Sequence, residues 1–120
     1  MSKTLFILND PPYGTERSYN ALRLAGALSS RDGEQVRVFL VGDAASCAKA
    51  SQKVPPGYYN VELMLRGVVR HAGEVGVCGT CMEARGIAEA ELAEGTRRSN
   101  RAMLRCSRRR SNPSRSTSGR

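Results

Sequence analysis

The sequence predicts an α/β fold built around a mainly parallel sheet. Short apolar runs alternate along the chain with segments in which apolar residues recur at helical spacing. The first run, from Leu5 to Leu8, is continuously apolar, a pattern typical of a strand covered on both faces. Alternating strands and helices favour parallel strands joined by right-handed crossovers. With 120 residues, the chain has room for one such domain.

A loop and an amphipathic helix are predicted after the first strand. Residues 9–14 contain two prolines and end in a glycine, which indicates a loop. Thr15 is suited to cap a helix, and Glu16 would lie in its first turn. Apolar residues then recur at the i, i+3, i+4, i+7 spacing of one helical face, at Ala21, Leu24, Ala25 and Leu28.

The second unit repeats this order. A strand is predicted from Val36 to Val41, followed by a short helix from about Ala44 with Asp43 as its cap. Residues 51–60 are interrupted by a Pro-Pro-Gly sequence and indicate a loop. Helical spacing then returns and continues towards Gly73, with apolar residues at Val61, Met64, Leu65 and Val68.

The third predicted strand runs from Glu74 to Cys78 and leads into a glycine-containing turn. Thr80 could cap a helix that opens at Cys81. Sites in parallel sheets form beyond the carboxyl ends of the strands. The chemically informative residues follow these three ends: Asp10 and Tyr13, then Asp43 and Cys47, then Cys78 and Cys81.

The positive charge of the chain is concentrated at its carboxyl end. The formal net charge is +8, yet residues 1–96 hold ten Lys or Arg and eleven Asp or Glu, whereas residues 97–120 hold nine Arg and no acid. We therefore expect a folded domain over residues 1–98 and a basic, disordered tail over residues 99–120. Such a tail would contact nucleic acid only non-specifically, through phosphates.

The amino terminus offers only four consecutive apolar residues, far fewer than a secretory or membrane-spanning segment needs. We therefore expect a cytoplasmic protein without a membrane partner. Four cysteines in such a compartment are more typical of reduced thiols than of a disulfide framework.

Cys78 is the leading candidate for a reactive residue. A thiol becomes nucleophilic when its thiolate is stabilised, and Cys78 lies on the turn that leads into a predicted helix N-terminus. Arg85 is near enough in sequence to add positive charge. The Cys-x-x-Cys spacing with Cys81 also permits disulfide exchange or half of a zinc site, and both thiols could instead be packing residues.

Zinc is the weakest of these alternatives, because no second cysteine or histidine pair accompanies the first. We therefore predict no metal and no cofactor. Cys47, within a short alanine-rich segment, is interpreted as a packing residue, and His71, near a helix end, is assigned no role.

Three stretches together resemble the DsrE/DsrF/YchN-like sulfur-relay family: residues 3–14, 38–45 and 76–86. The most specific is Cys-Gly-Thr-Cys-Met-Glu-Ala-Arg-Gly, and the resemblance runs from about Lys3 to Arg98. It implies a flavodoxin-like three-layer sandwich, assembly into homo-oligomers, and a persulfide-carrying cysteine at the position of Cys78. Family members end in an amphipathic helix and an apolar strand. The sequence from Ser99 onward lacks that signal, so we expect the final strand to be missing.

Three functions remain open. The first is a sulfur-relay protein, a possible sulfurtransferase, that carries sulfane sulfur as a persulfide on Cys78 between donor and acceptor proteins. The second is a non-catalytic oligomeric binding or regulatory module. The third is a dithiol-disulfide oxidoreductase that uses Cys78 and Cys81; it ranks lower because the chain lacks the aromatic residue that precedes the first cysteine in the thioredoxin pattern.

Overall fold

Four parallel strands form the sheet, side by side in the order in which they occur along the chain. The structure is a computed structural model that describes residues 2–99. The strands are β1 (Ser2–Leu8), β2 (Glu34–Leu40), β3 (Glu74–Cys78) and β4 (Thr96–Ser99). All three neighbouring pairs are parallel. The predicted α/β class and parallel sheet are therefore confirmed.

The helices pack against one face of this sheet. They are α1 (Arg17–Ser29), α2 (Val61–Arg70) and the short α3 (Gly79–Ala84), together with 3₁₀ helices at Gly42–Ala48 and Glu89–Glu91. Alternate strand residues point to the helices and form one apolar cluster with them. The strands contribute Leu8, Val36, Val38, Leu40, Val75 and Val77 to that cluster. Among residues 2–99 the helices and the sheet thus share one apolar core.

The buried face of α1 differs from the predicted one. Leu24 is 55% exposed, whereas Ser18 is almost fully buried beside Leu22 and Ala25. Ser18 can be buried because its hydroxyl donates to the Asp10 carbonyl oxygen at 2.8 Å. A pattern that counts only apolar side chains cannot include such a serine. The predicted buried face is therefore rotated about the helix axis relative to the observed one.

All three predicted helix caps are wrong. α1 begins at Arg17 with Glu16 in the N-cap position, so Thr15 lies outside the helix. The segment after β2 is a 3₁₀ helix that begins at Gly42, so Asp43 lies in its first turn. The last helix begins at Gly79 with Cys78 in the N-cap position, which leaves Thr80 inside the first turn. Val41, the one residue between β2 and the 3₁₀ helix, occupies the N-cap position there, and the last helix follows β3 directly.

The sequence did not predict β4. Residues Thr96–Ser99 include no apolar side chain, so they lack the alternating pattern of a strand. The strand forms by backbone pairing with β3, with Arg98 opposite Val77 and Ser99 opposite Cys78. Ser99 therefore belongs to the sheet and not to the predicted tail. The predicted disorder and the missing final strand concern residues 100–120, which lie outside the described residues, and they stay predictions, as does the division into domain and tail.

No helix within residues 2–99 combines the length and the apolar character needed to cross a lipid bilayer.

Candidate functional site

Cys78 is the last residue of β3 and the N-cap residue of α3. Its backbone is extended, with φ −61° and ψ 121°, so the chain turns from strand to helix directly after it. The side chain is partly exposed, and both Cys78 and Cys81 are free thiols. The structure therefore places the predicted pair at the carboxyl edge of the sheet, one helical turn apart.

Several donors act on the sulfur of Cys78. Partial burial disfavours the thiolate, but the backbone N–H and the thiol of Cys81, the N–H of Thr80 and the charge of Arg98 outweigh it and lower the pKa of Cys78. Because α3 has only six residues, the stabilisation comes from these individual groups rather than from a long helix. These local groups favour the thiolate form of Cys78.

Arg98 reaches this site from β4 across the backbone of Gly79. A Cβ atom added to Gly79 would lie 2.6 Å from Cζ and 2.7 Å from Nε of Arg98. On the far side, Nη2 of Arg98 contacts Glu83 Oε2 at 2.7 Å. The guanidinium is thus held between the start of α3 and an acidic side chain of the same helix.

Cys81 links the site to the neighbouring strand end. The N–H of Gly42, two residues beyond β2, donates to the sulfur of Cys81 at 3.1 Å. The Cys81 thiol in turn donates to Cys78. A short relay therefore runs from the backbone after β2 through Cys81 to the sulfur of Cys78.

Arg85 does not play the part that its position in the sequence indicated. Its Nη2 pairs with Asp43 Oδ1 at 2.8 Å, and its Nη1 donates to the Cys81 carbonyl oxygen at 3.1 Å. Arg85 therefore ties α3 to the 3₁₀ helix after β2. The arginine whose charge acts on Cys78 is Arg98.

Cys47 lies in the core and differs from Cys78 in both its exposure and its pKa. Its side chain is fully buried in the 3₁₀ helix after β2. Burial raises the pKa of the Cys47 thiol to about 12. Cys47 is therefore an unreactive packing residue, as the sequence indicated.

The remaining residues at the strand ends make structural contacts. The Tyr13 hydroxyl donates to Gln52 Oε1 at 2.6 Å and accepts the N–H of Val61 at 3.0 Å, so it fastens the loop before α2. The Asp10 carboxylate lies 3.7 Å from Arg17. Within residues 2–99, no group of three or more His, Cys, Asp or Glu side chains could hold a metal ion.

Sequence reasoning missed Arg98 and Gly42. Arg98 stands at the start of the basic stretch, where nothing separates it from the arginines that follow. Gly42 acts through its backbone N–H, which no residue type reveals. Gly79 was the available signal, because a glycine at the start of a helix allows a neighbouring group to approach closely.

Three comparisons with known proteins agree with this architecture. The model of the DsrE/DsrF-like family matches residues 2–105. Protein YchN of Escherichia coli is 36% identical over 96 residues, which cover 79% of this chain and 81% of that protein. An uncharacterized protein of Methanopyrus kandleri is 36% identical over 89 residues, covering 74% of this chain and 72% of its own.

Solved structures give the same result. The crystal structure of the ychN protein from E. coli superposes with a TM-score of 0.81 at 34% identity, covering 88% of this chain and 91% of that chain. A protein of unknown function from Methanobacterium thermoautotrophicum superposes with a TM-score of 0.66 at 11% identity, with 93% of both chains covered. The second likeness concerns the fold alone.

Proposed function

Because the chain belongs to the DsrE/DsrF-like family, which is linked in general to sulfur relay, we propose that it carries sulfane sulfur as a persulfide on Cys78. The donor and the acceptor would be cysteine residues of partner proteins. The observation that carries this proposal is the surroundings of the Cys78 sulfur. The thiol is partly exposed, and four groups favour its anion.

The chemistry requires a thiolate that can attack and an anion that can leave. The Cys78 thiolate attacks the outer sulfur of the donor persulfide. A new bond to Cys78 forms as the sulfur–sulfur bond of the donor breaks, and the donor cysteine leaves as a thiolate that takes up a proton. An acceptor thiolate then attacks the outer sulfur on Cys78 and releases the Cys78 thiolate. No external oxidant or reductant is needed, because each step exchanges one sulfur–sulfur bond for another.

Cys81 supports the same chemistry without being the carrier. Its thiol donates a hydrogen bond to Cys78, and its own sulfur accepts the N–H of Gly42. In this arrangement Cys81 stabilises the Cys78 anion, which we assign as its role in transfer. Replacement by serine keeps a hydroxyl donor at this position.

Mass spectrometry tests the proposal. The reduced full-length chain is incubated with a protein that bears a cysteine persulfide, and the peptide that holds both cysteines is fragmented. We expect the mass of one additional sulfur atom on Cys78 in the wild type and in Cys81→Ser, and none in Cys78→Ser. A modification that is unchanged in Cys78→Ser contradicts the assignment. A wild-type chain that stays unmodified favours the non-catalytic binding module instead.

A dithiol-disulfide oxidoreductase is the second candidate, and the contact between the two thiols favours it. This function requires that Cys78 and Cys81 close a disulfide at equilibrium with glutathione. A redox titration followed by alkylation of the remaining thiols measures that disulfide. If the pair stays reduced across the glutathione range while Cys78 accepts sulfur, the oxidoreductase function is excluded.

A further inference from the structure

β4, the last of the four described strands, brings a cation to the sulfur site. Its pairing with β3 sets Arg98 opposite Val77 and Ser99 opposite Cys78. Successive side chains of a strand point to opposite faces, so Arg98 points to the helix side of the sheet and Arg97 to the other side. Arg97 accordingly lies 4.0 Å from Glu74, away from the site.

Gly79 is what allows the guanidinium to lie at this place. The atoms Cζ, Nε and Nη2 of Arg98 all fall within 2.6 to 2.7 Å of where a Cβ of residue 79 would stand. Real side chains do not tolerate such a separation, so any other residue at position 79 would displace the guanidinium. The residue next to the reactive cysteine is therefore the one that leaves room for the arginine.

Glu83 holds the guanidinium in that place. The Arg98–Glu83 contact of 2.7 Å joins β4 to α3, and the Arg98 side chain keeps 40% of its exposure. The other charged groups around Cys78 lie on α3 and on the two 3₁₀ helices. Glu89 adds negative charge near Arg98, and Asp43 is neutralised by Arg85.

We propose that Arg98, held by Glu83 over Gly79, is the charge-compensating residue of the sulfur site and that Glu83 is its positioning residue. Arg98 stabilises the anion on Cys78 both as the thiolate before transfer and as the persulfide anion after it. The stabilisation of the persulfide anion rests on the proposed function. The stabilisation of the thiolate is independent of that function.

The rate of Cys78 alkylation by iodoacetamide as a function of pH tests the thiolate part. The rate is read from fragment ions that separate Cys78 from Cys81, on the full-length chain. Arg98→Gln should move the midpoint of the profile to higher pH and slow alkylation at neutral pH by roughly threefold to tenfold, the effect of losing one nearby, partly exposed cation. Arg98→Lys, which keeps the charge, should restore much of the rate.

Arg97→Gln is the matched control. It removes the same net charge from the neighbouring residue of the same strand, whose side chain lies beside Glu74 instead of over Gly79. We expect its alkylation profile to coincide with that of the wild type. If the profile of Arg98→Gln coincides with that of Arg97→Gln, the proposal is wrong.

Gly79→Ala gives a second test that leaves Arg98 itself in place. Its methyl group would displace the guanidinium, while alanine in place of glycine at the start of a helix should not lower stability. We expect slower alkylation of Cys78 at neutral pH together with an unchanged or higher melting temperature. If Cys78 of this variant is alkylated at the wild-type rate, the role assigned to Gly79 and Arg98 is wrong.

Persulfide loading separates this proposal from the proposed function. The Arg98→Gln variant could accept sulfur on Cys78 as fast as the wild type and retain the persulfide as long. In that case Arg98 has no part in transfer, and the proposed function stands. If the wild type loads no sulfur, the proposed function fails, and the alkylation profiles still decide whether Arg98 acts on the thiolate.

Discussion

Cys47 and Cys78 carry the same thiol in opposite surroundings. Each lies at or beyond the end of a strand, but Cys47 is enclosed by the core while Cys78 is partly exposed and receives hydrogen bonds from the backbone. Burial raises the pKa of the Cys47 thiol to about 12, whereas the donors around Cys78 lower the pKa of that thiol. One residue type therefore serves as core in one place and as the proposed nucleophile in the other.

The buried thiol makes the stability of the fold sensitive to alkaline pH. In the unfolded chain Cys47 would lose its proton near pH 9.0, while in the folded chain it keeps the proton up to about pH 12. The folded state binds the extra proton within this window, so stability is complete below pH 9 and falls as the pH rises. The full shift corresponds to about 4 kcal/mol.

Cys47→Ala separates this effect from other titrations. At pH 7 the variant should be less stable than the wild type by about 1 kcal/mol, because it leaves a small cavity. Between pH 8 and 10.5 the difference should shrink and then reverse, since the variant has no thiol to deprotonate. Urea unfolding in the presence of a reducing agent measures both. A difference that stays constant over this pH range contradicts the burial-based pKa.

At the scale of elements, the turn between α2 and β3 is closely packed. Gly73 lies between the two, and its N–H donates to the Val68 carbonyl oxygen at 2.9 Å. A Cβ at this position would lie 2.5 Å from Val68 Cγ1 and 2.8 Å from the Val68 carbonyl oxygen. The backbone oxygen cannot move without opening the helix end, so only glycine fits here.

Two glycine substitutions in this region should act in opposite directions. Gly73→Ala should lower the free energy of unfolding by about 2 kcal/mol, the cost of forcing extra volume against backbone. Gly67→Ala, within α2 and with nothing within 4 Å of the added methyl group, should raise it by about 0.5 to 1 kcal/mol through helix propensity. Urea unfolding of both variants gives the comparison. If both substitutions change the free energy of unfolding equally, the position of Gly73 against the Val68 backbone is contradicted.

The elements that the sequence predicted are those whose pattern is visible within a short segment of the chain. β1, β2 and β3 are apolar runs, and each lies within three residues of its predicted start. β4 was missed because its residues carry no pattern and its stability depends on β3. For the same reason Cys78 was identified from its position at a strand end, while the Arg98 charge that acts on it was not, since only the strand order brings the two residues near each other.

At the scale of the whole molecule, the sheet ends in two outer strands within the described residues. β1 is outermost on one side and β4 on the other, and Ile7 of β1 is 52% exposed on the face away from the helices. Outer strands offer unpaired backbone groups that another chain can cover. We therefore expect assembly with copies of the same chain, as the family resemblance indicated.

Light scattering at several salt concentrations tests this assembly. The measured mass should be a multiple of the 13.0 kDa of one chain and should persist in high salt, because apolar burial and backbone pairing are not screened by ions. Association between the basic carboxyl end and acidic surfaces would instead disappear as the salt concentration rises. A mass of one chain at every concentration of protein and salt contradicts the expectation.

The position of β4 at the end of the domain sequence also sets the order in which the site is completed during synthesis. Cys78 leaves the ribosome well before Arg98, and domains generally fold as units once their last element is available. A nascent chain that stops short of Thr96 would therefore lack the Arg98 charge near Cys78. The Cys78 thiolate would be fully stabilised only when β4 has paired with β3. The pairing of β4 with β3 would then complete the charge environment of the cysteine in the growing chain.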